Sequence, residues 1–386
     1  MKRFPRPWGR VCNPVPTVWA ERKWNERTGQ ESVYLPHFTI GINAFDAFRD
    51  VIGRYGNKIA AVHGEKAWNA AGRYVTQAVE KAGMTTTGEI LYGHEATWSN
   101  VERLVADQRV RQSDVLMAVG GGKCVDTVKL AADLLRKPVF TIPTIASNCA
   151  PVTKLSIMYG EDGTFEKVER LNSVPVHCFI HPGIILDAPI RYLRAGIGDA
   201  MAKHVESEWS AKAGEKLSFG SEFGILAGRL CFYPMLEFGK KAVEDAKSGI
   251  VSEELEKILL NIIITPGIVS VSVHSDYVGG IAHALFYGLT RRRQIEENYL
   301  HGDVVAYGTL VNLMVDRDWD KLEKTYRFNR SLGLPSCLKD LGLTLEDDLE
   351  DVLAAAVENQ ELSHTPYPVT ADLIQEAMRE LESYRA

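Results

Sequence analysis

The sequence predicts an α/β fold in its N-terminal half, a doubly wound parallel sheet, joined to an all-α C-terminal half. Short apolar runs alternate with amphipathic stretches from Lys58 to Pro143, a glycine triplet follows the third run directly, and strand-like patterning stops after about Asp187. The first run, Lys58 to Val62, reads as a buried strand, and Glu65 to Ala82 as the helix that returns from it. Glu89 to Tyr92 is a second strand, followed by a helix from Val101 to Val110 opened by the capping-box pair Ser99 and Glu102. Val115 to Val119 is a third, running into Gly120, Gly121, Gly122 and a helix through Leu135. Val139 to Ile142 is a fourth, ended by Pro143. Strands and helices at this spacing place ligands at the carboxyl ends of the strands. Beyond Asp187 the helices break at Gly249, Pro266, Gly279, Gly288, the Gly333 to Pro335 turn and Pro366 to Pro368, and Thr370 caps the last one. The chain thus divides into an extension (1–34), an α/β domain (35–187) and a helical domain (188–386), with the cleft between the last two as the natural place for a site.

Composition narrows the function classes. A formal charge of -6 argues against a nucleic-acid surface, which needs a basic footprint, and leaves a small-molecule partner as the default. The longest nearly apolar run, Ile258 to Val273, is interrupted by Asn261, Thr265, Pro266, Gly267, Ser270 and Ser272, so no membrane span is expected. Six cysteines (Cys12, Cys124, Cys149, Cys178, Cys231, Cys337) form no CxxC pair and fit reduced thiols in the cytoplasm. The first thirty residues carry seven Lys and Arg with Trp8, Trp19 and Trp24, and no apolar stretch follows the charges. They read as an arm packed on the body or on a neighbouring subunit, not as a secretory signal.

Two features carry chemistry. The turn from Val119 through Gly120, Gly121, Gly122 and Lys123 to Asp126 follows a strand and begins a helix, so backbone N–H groups face a phosphate with no Cβ in the way. It is neither GxGxxG nor a Walker pattern, and a tight βα turn would explain it as well. Thr144 and Ser147, at the end of the next strand, would meet the same ligand. In the helical half, His283 and His301 sit in apolar, glycine-flanked segments, and Asp199 lies among small residues at a helix start, where a cap would be the plain explanation. Two imidazoles and one carboxylate with an open position suit a catalytic Zn2+ or Fe2+.

The segments GGGKCVDTVK (120–129), PTIASNCAPVTKLSIMY (143–159), AGIGDAMAKHVE (195–206), IAHALFYGLT (281–290) and YLHGDVVAYG (299–308) together resemble the metal-dependent, iron-containing alcohol dehydrogenase superfamily in its glycerol dehydrogenase-like branch, over residues 35–386. The resemblance implies a dehydroquinate synthase-like fold, with an N-terminal nucleotide-binding domain, a C-terminal metal-binding domain and the active site between them. It places the metal ligands on Asp199, His283 and His301. The cofactor contacts fall on Gly120, Gly121, Gly122, Lys123 and Asp126 at the pyrophosphate, Thr144 and Ser147 near the nicotinamide half, and Thr153, Leu155 and Tyr159 along the cofactor. Lys203 stands where the iron-dependent branch has a fourth, histidine ligand, which favours Zn2+ over Fe2+. A homo-oligomer is also implied.

Three departures from the family pattern bear on substrate and cofactor. Cys149 stands where glycerol dehydrogenases carry an aspartate that binds the polyol, which removes a hydroxyl acceptor and the repulsion against a substrate carboxylate. The surrounding SNCAP and the closing SHTPYPVTADLIQEAM segment look closer to hydroxycarboxylate dehydrogenases, with Lys154 as a candidate cation for a 2-oxo acid. Gly64 replaces the acid that holds the ribose 2′-hydroxyl in NAD-preferring relatives, so NAD and NADP are both admissible. Tyr287 replaces a proton-relaying histidine, and its pKa near 10 makes it the poorer relay. The expected function is therefore a metal-dependent, NAD(P)-linked dehydrogenase acting on a 2-hydroxy acid and 2-oxo acid pair. Glycerol oxidation is the alternative, and a dehydroquinate synthase-like lyase the alternative of another class.

Overall fold

A computed structural model describes residues 32–214 and 216–385. The N-terminal extension through residue 31, Cys12 included, lies outside them. Eight strands occur among the described residues: β1 (Phe38–Ile40), β2 (Lys58–His63), β3 (Thr85–Leu91), β4 (Val115–Gly120), β5 (Val139–Pro143), β6 (Leu155–Tyr159), β7 (Phe165–Arg170) and β8 (His177–Ile180). Six of them form one all-parallel sheet in the order β1-β8-β5-β4-β2-β3, while β6 and β7 pair separately as an antiparallel hairpin. The chain leaves β2 for β3 on one side and returns to lay β4 on the other. The crevice between β2 and β4 is therefore the switch point of the sheet, where open α/β folds bind ligands. His63 and Val119 are in register there, so Gly64 and Gly120 open into the same crevice.

The sheet is buried on both faces, which is why its central strands read as continuous apolar runs. Along β4, Val115, Met117 and Val119 enter the core on one side, and Leu116 and Ala118 the core on the other. The doubly wound parallel layout agrees with the sequence, but β1, β8 and the hairpin were not expected from it. β3 starts at Thr85, not Glu89. The helix expected from Val101 is two, Trp98–Ala106 and Gln108–Gln112. The first is capped by Thr97, whose hydroxyl accepts from the Asn100 N–H, in place of Ser99. The second is capped by the Asp107 carboxylate, which accepts from the Arg109 N–H.

From residue 187 on, every described element is helical. Pro266 separates helices Glu253–Ile263 and Thr265–Ser272 as expected, and the Thr370 hydroxyl caps helix Ala371–Ser383. Gly288 stands one residue before the end of its helix, so the expected break falls beside it. It lies inside helix Ile281–Leu289, where a Cβ would come within 2.4 Å of the Val352 carbonyl. The stretch Glu253–Ser272 does have the length and composition of a membrane span, contrary to the sequence reading, but 67% of it is buried inside the protein as core helix.

The helical half is organised around Arg191–Ser210, a 20-residue helix buried almost throughout. Glycines let a second helix cross it, and a third cross the second, at backbone distance. A Cβ on Gly302 would fall 1.8 Å from the Ala195 carbonyl oxygen, and one on Gly198 would fall 2.6 Å from the Gly302 carbonyl oxygen. Gly308 meets the Ala282 carbonyl in the same way, at 2.6 Å. These crossings join Arg191–Ser210 to His301–Asp316, and His301–Asp316 to Ile281–Leu289. Here the obstacle is backbone, which cannot rotate aside. Gly302→Ala should destabilise the protein by about 3 kcal/mol or more in urea unfolding, and a variant as stable as the parent would show that this crossing is slack.

Candidate active site

The three crossing helices bring Asp199, His283 and His301 to one point. Asp199 lies in the middle of its helix, not at the start, so it caps nothing. His283 is in the first turn of Ile281–Leu289, and His301 opens His301–Asp316. Both histidines turn Nε2 toward Asp199 Oδ1, His301 at 3.1 Å and His283 at 3.5 Å. One ligand atom from each residue lies within 4.8 Å of the other two. Two imidazole nitrogens and one carboxylate oxygen converging in this way fit a divalent ion such as Zn2+ or Fe2+.

The far side of His283 is fixed by a residue the sequence reading passed over. Glu206 lies two turns beyond Asp199 on the same helix and is wholly buried. Its Oε2 accepts a hydrogen bond from His283 Nδ1–H at 2.5 Å, and its Oε1 accepts from the His283 backbone N–H at 2.9 Å. A carboxylate on Nδ1 fixes the tautomer that leaves Nε2 for a metal and makes that nitrogen a better donor. The ring of Phe286 stands edge-on to His301 at 4.2 Å and limits its tilt. Burial opposes charge throughout this cluster, yet the imidazoles of His301 and His283 outweigh it and hold the Asp199 carboxyl well below its usual range. Burial likewise works against a charged His283, but Glu206 and Asp199 carry its pKa up to about 10.

The glycine turn lies at the switch point of the sheet. Gly121 precedes helix Gly122–Leu135, whose first turn receives no side-chain cap, so its N–H groups remain available to an anion. A Cβ on Gly121 would strike Ile145 at 2.7 Å, and one on Gly122 would crowd Asn148 at 3.1 Å. Lys123 pairs with Glu95 at 2.5 Å and lies 4.8 Å over the Tyr159 ring. Thr144 is buried and donates its N–H to the Gly120 carbonyl, while Ser147 is half-buried beside it. Gly64, at the end of β2, has the Tyr92 ring 3.3 Å from where its Cβ would stand. Uncapped N–H groups at a helix start with no Cβ in the way suit a phosphate.

Asp126 serves the scaffold. Its carboxylate pairs at 2.8 Å with Lys129 and accepts from the Ile157 N–H at 3.2 Å. Lys129, which the sequence reading also passed over, is fully buried and donates to the carbonyls of Ala150 and Leu155, with Thr153 at 3.4 Å. The pair ties Thr153, Leu155 and the hairpin strand to the glycine helix. An Asp and a Lys three residues apart in an otherwise apolar helix were its only sequence signal.

Three candidates for substrate contact are placed differently. Cys149 is half-buried, and burial together with the Asp199 charge pushes its thiol up to about 11, so it stays neutral. Tyr287 is drawn toward the cluster. Burial, and then Glu361, Tyr159, Asp199 and Glu206, raise its phenol far above the ordinary value, and its ring packs 5.4 Å from Phe165 of the hairpin. Lys154 is exposed. The ammonium that feels both Asp199 and Cys149 belongs to Lys203, one turn beyond Asp199.

Comparison with known proteins assigns the class. A family model described as iron-containing alcohol dehydrogenase matches residues 36–182. The chain is 30% identical to a glycerol dehydrogenase of Thermotoga maritima over 363 residues, 92% of this chain and 97% of that one. It is 30% identical to hydroxycarboxylate dehydrogenase A of Escherichia coli over 328 residues, 84% and 89% of the two chains. The crystal structure of a probable glycerol dehydrogenase from Sinorhizobium meliloti superposes with a TM-score of 0.80 at 26% identity, covering 92% of this chain and 99% of that one. The chain is an oxidoreductase belonging to the iron-containing alcohol dehydrogenase superfamily. Within that superfamily it falls in the glycerol dehydrogenase-like branch.

A proton and a metal ion compete for His283 Nε2. With a pKa of about 10 when folded, against 6.5 for an unperturbed histidine, His283 stabilises the metal-free protein fully below pH 6.5. That contribution is lost as pH rises through about 10, and zinc affinity should rise over the same interval. Glu206→Gln should weaken zinc retention about 10- to 100-fold in chelator competition and shift that rise to lower pH. Unchanged affinity and pH dependence would deny Glu206 its positioning role.

Proposed function

We propose that the protein transfers hydride between NAD(P) and a small 2-hydroxy acid and 2-oxo acid pair, using a divalent metal held by Asp199, His283 and His301. The observation that carries the substrate class is Cys149. At the position where a polyol-binding aspartate would stand, a neutral thiol lies within the field of Asp199. A thiol is a weak hydrogen-bond acceptor and brings no negative charge, so a hydroxyl loses its partner and a carboxylate meets no repulsion. Likeness to hydroxycarboxylate dehydrogenase A supports this reading. The glycerol dehydrogenases among the relatives support the second, oxidation of glycerol.

The metal supplies Lewis acidity, which polarises a carbonyl or stabilises an alkoxide, and the nicotinamide supplies or takes up the hydride. The chain does the positioning. The glycine turn seats the pyrophosphate on open N–H groups, and the hairpin, held to that turn by Lys129, runs Leu155 and Tyr159 along the cofactor. Tyr287 keeps its phenolic proton at Oη and so acts at neutral pH as a hydrogen-bond donor, not as a relay that titrates. Gly64 brings no carboxylate to the adenosine ribose, which leaves room for a 2′-phosphate and admits NADP beside NAD. Lys203, held charged at the fourth-ligand position, has no lone pair to offer a metal. Three protein ligands with one open position favour Zn2+ over Fe2+.

Initial rates on zinc-loaded protein test this reading, with 2-oxo acid reduction and glycerol oxidation compared using NAD(H) and NADP(H). Chelator-sensitive reduction of 2-oxo acids, faster than glycerol oxidation, is the expected result. Glycerol oxidation alone would overturn the oxo acid assignment. His283→Ala should lower zinc affinity and kcat/KM by more than about a hundredfold with the fold intact by circular dichroism, and a fully active variant would remove His283 from the site.

A further inference from the structure

Substrate carbons and the metal ligands share a small volume, so whatever recognises a carboxylate next to the reacting carbonyl must stand beside Asp199. The protein supplies little net charge for that purpose. Asp199, Glu206 and Glu361 are acidic, and a divalent ion with one ammonium only balances them, so a carboxylate is not drawn in by the general field and needs a local donor. Two ammonium groups act on Cys149, those of Lys129 and Lys203. Lys129 is consumed by the Asp126 carboxylate and the carbonyls of Ala150 and Leu155. Lys203 is not. Among the described residues its one hydrogen bond is a long one, 3.4 Å to the Val278 carbonyl, and an ammonium has three donors.

Lys203 is also placed for the task. It lies four residues after Asp199 on one straight helix, so both side chains leave the same face. Its charge is favoured by Glu206, Cys149, Glu361 and Asp199. Burial works against the charge, but these neighbours outweigh it, and the group stays an ammonium across the neutral range.

We propose that the Lys203 ammonium anchors the substrate carboxylate and is the residue that selects 2-oxo and 2-hydroxy acids over neutral polyols, an inference that rests on the oxo acid reading above. Cys149 removes the repulsion and Lys203 supplies the attraction, so selectivity needs both. A charge-assisted contact of this kind changes affinity about tenfold to a hundredfold.

The test uses the full-length, zinc-loaded protein with reduced nicotinamide bound, and two non-reducible probes of nearly equal shape, oxamate and oxamide, titrated by calorimetry. The parent should bind oxamate at least about tenfold more tightly than oxamide. In Lys203→Gln this preference should collapse, and in Lys203→Arg part of it should return. An unchanged oxamate-to-oxamide ratio in Lys203→Gln would overturn the proposal. So would an equal loss of both probes, or loss of zinc by elemental analysis, since either would place Lys203 in support of the metal site. Turnover separates the two claims. If the parent oxidises glycerol and leaves 2-oxo acids untouched, the oxo acid reading falls and the claim that Lys203 selects the substrate falls with it, even where Lys203→Gln abolishes the oxamate preference. If 2-oxo acids are reduced and the preference is unchanged in Lys203→Gln, the anchor alone falls.

Discussion

The site depends on helices that touch through bare backbone. Asp199 and His301 sit on separate helices, and side chains of their length reach a common point only if the helix axes come unusually close. Gly198 and Gly302 permit that approach, each occupying space that the other helix's carbonyls leave no room to share. The Gly308 and Ala282 contact repeats the device and fixes His283 relative to His301. Protein interiors transmit strain because they are close-packed, so displacement at any one crossing moves all three donor atoms.

Such close packing also creates an electrostatic problem. Asp199 and Glu206 are buried on one helix, and burying charge without partners costs several kcal/mol per ion. The chain answers with a chain of contacts: Glu206 to His283, His283 to Asp199, and Asp199 to His301. In the metal-free protein the proton on His283 provides compensating charge. A cation entering between the three donors takes over that task, so the arrangement that makes the apo-protein tolerable is also the arrangement that selects a cation.

Much of this was legible from residue patterns alone. Parallel strands buried on both faces have to be apolar throughout, so β2, β4 and β5 stood out, and the glycines after β4 marked the switch point. β1 and β8 are three and four residues long, and β8 begins with His177 and Cys178, which carry little strand signal. The hairpin hides for another reason: β7 is Phe-Glu-Lys-Val-Glu-Arg, polar enough to pass for a loop. At the site, Asp199, His283 and His301 announce themselves by chemistry. Glu206 and Lys203 do not, because each matters only through a partner on another element, and no local rule marks a carboxylate that meets a histidine 77 residues away. Their spacing of four and seven from Asp199 placed them on its face, which was the one available clue.

Lys154 and Lys203 show how the two kinds of information differ. Both are lysines in segments the family resemblance singles out, and by residue type either could bind an anion. Position in the fold separates them. Lys154 follows a buried threonine just ahead of an edge hairpin, where its side chain emerges into solvent. Lys203 is half-buried on a helix that the glycine crossings hold in the interior, and the acidic groups nearby favour its charge. Among the described residues no ion pair ties this ammonium to Glu361 or to another carboxylate, so a substrate carboxylate meets a donor that is still open. Part of the desolvation cost that makes new buried ion pairs weak is already met by the fold at this ammonium, and the neutral thiol of Cys149 keeps it open, since a carboxylate there would pair with it.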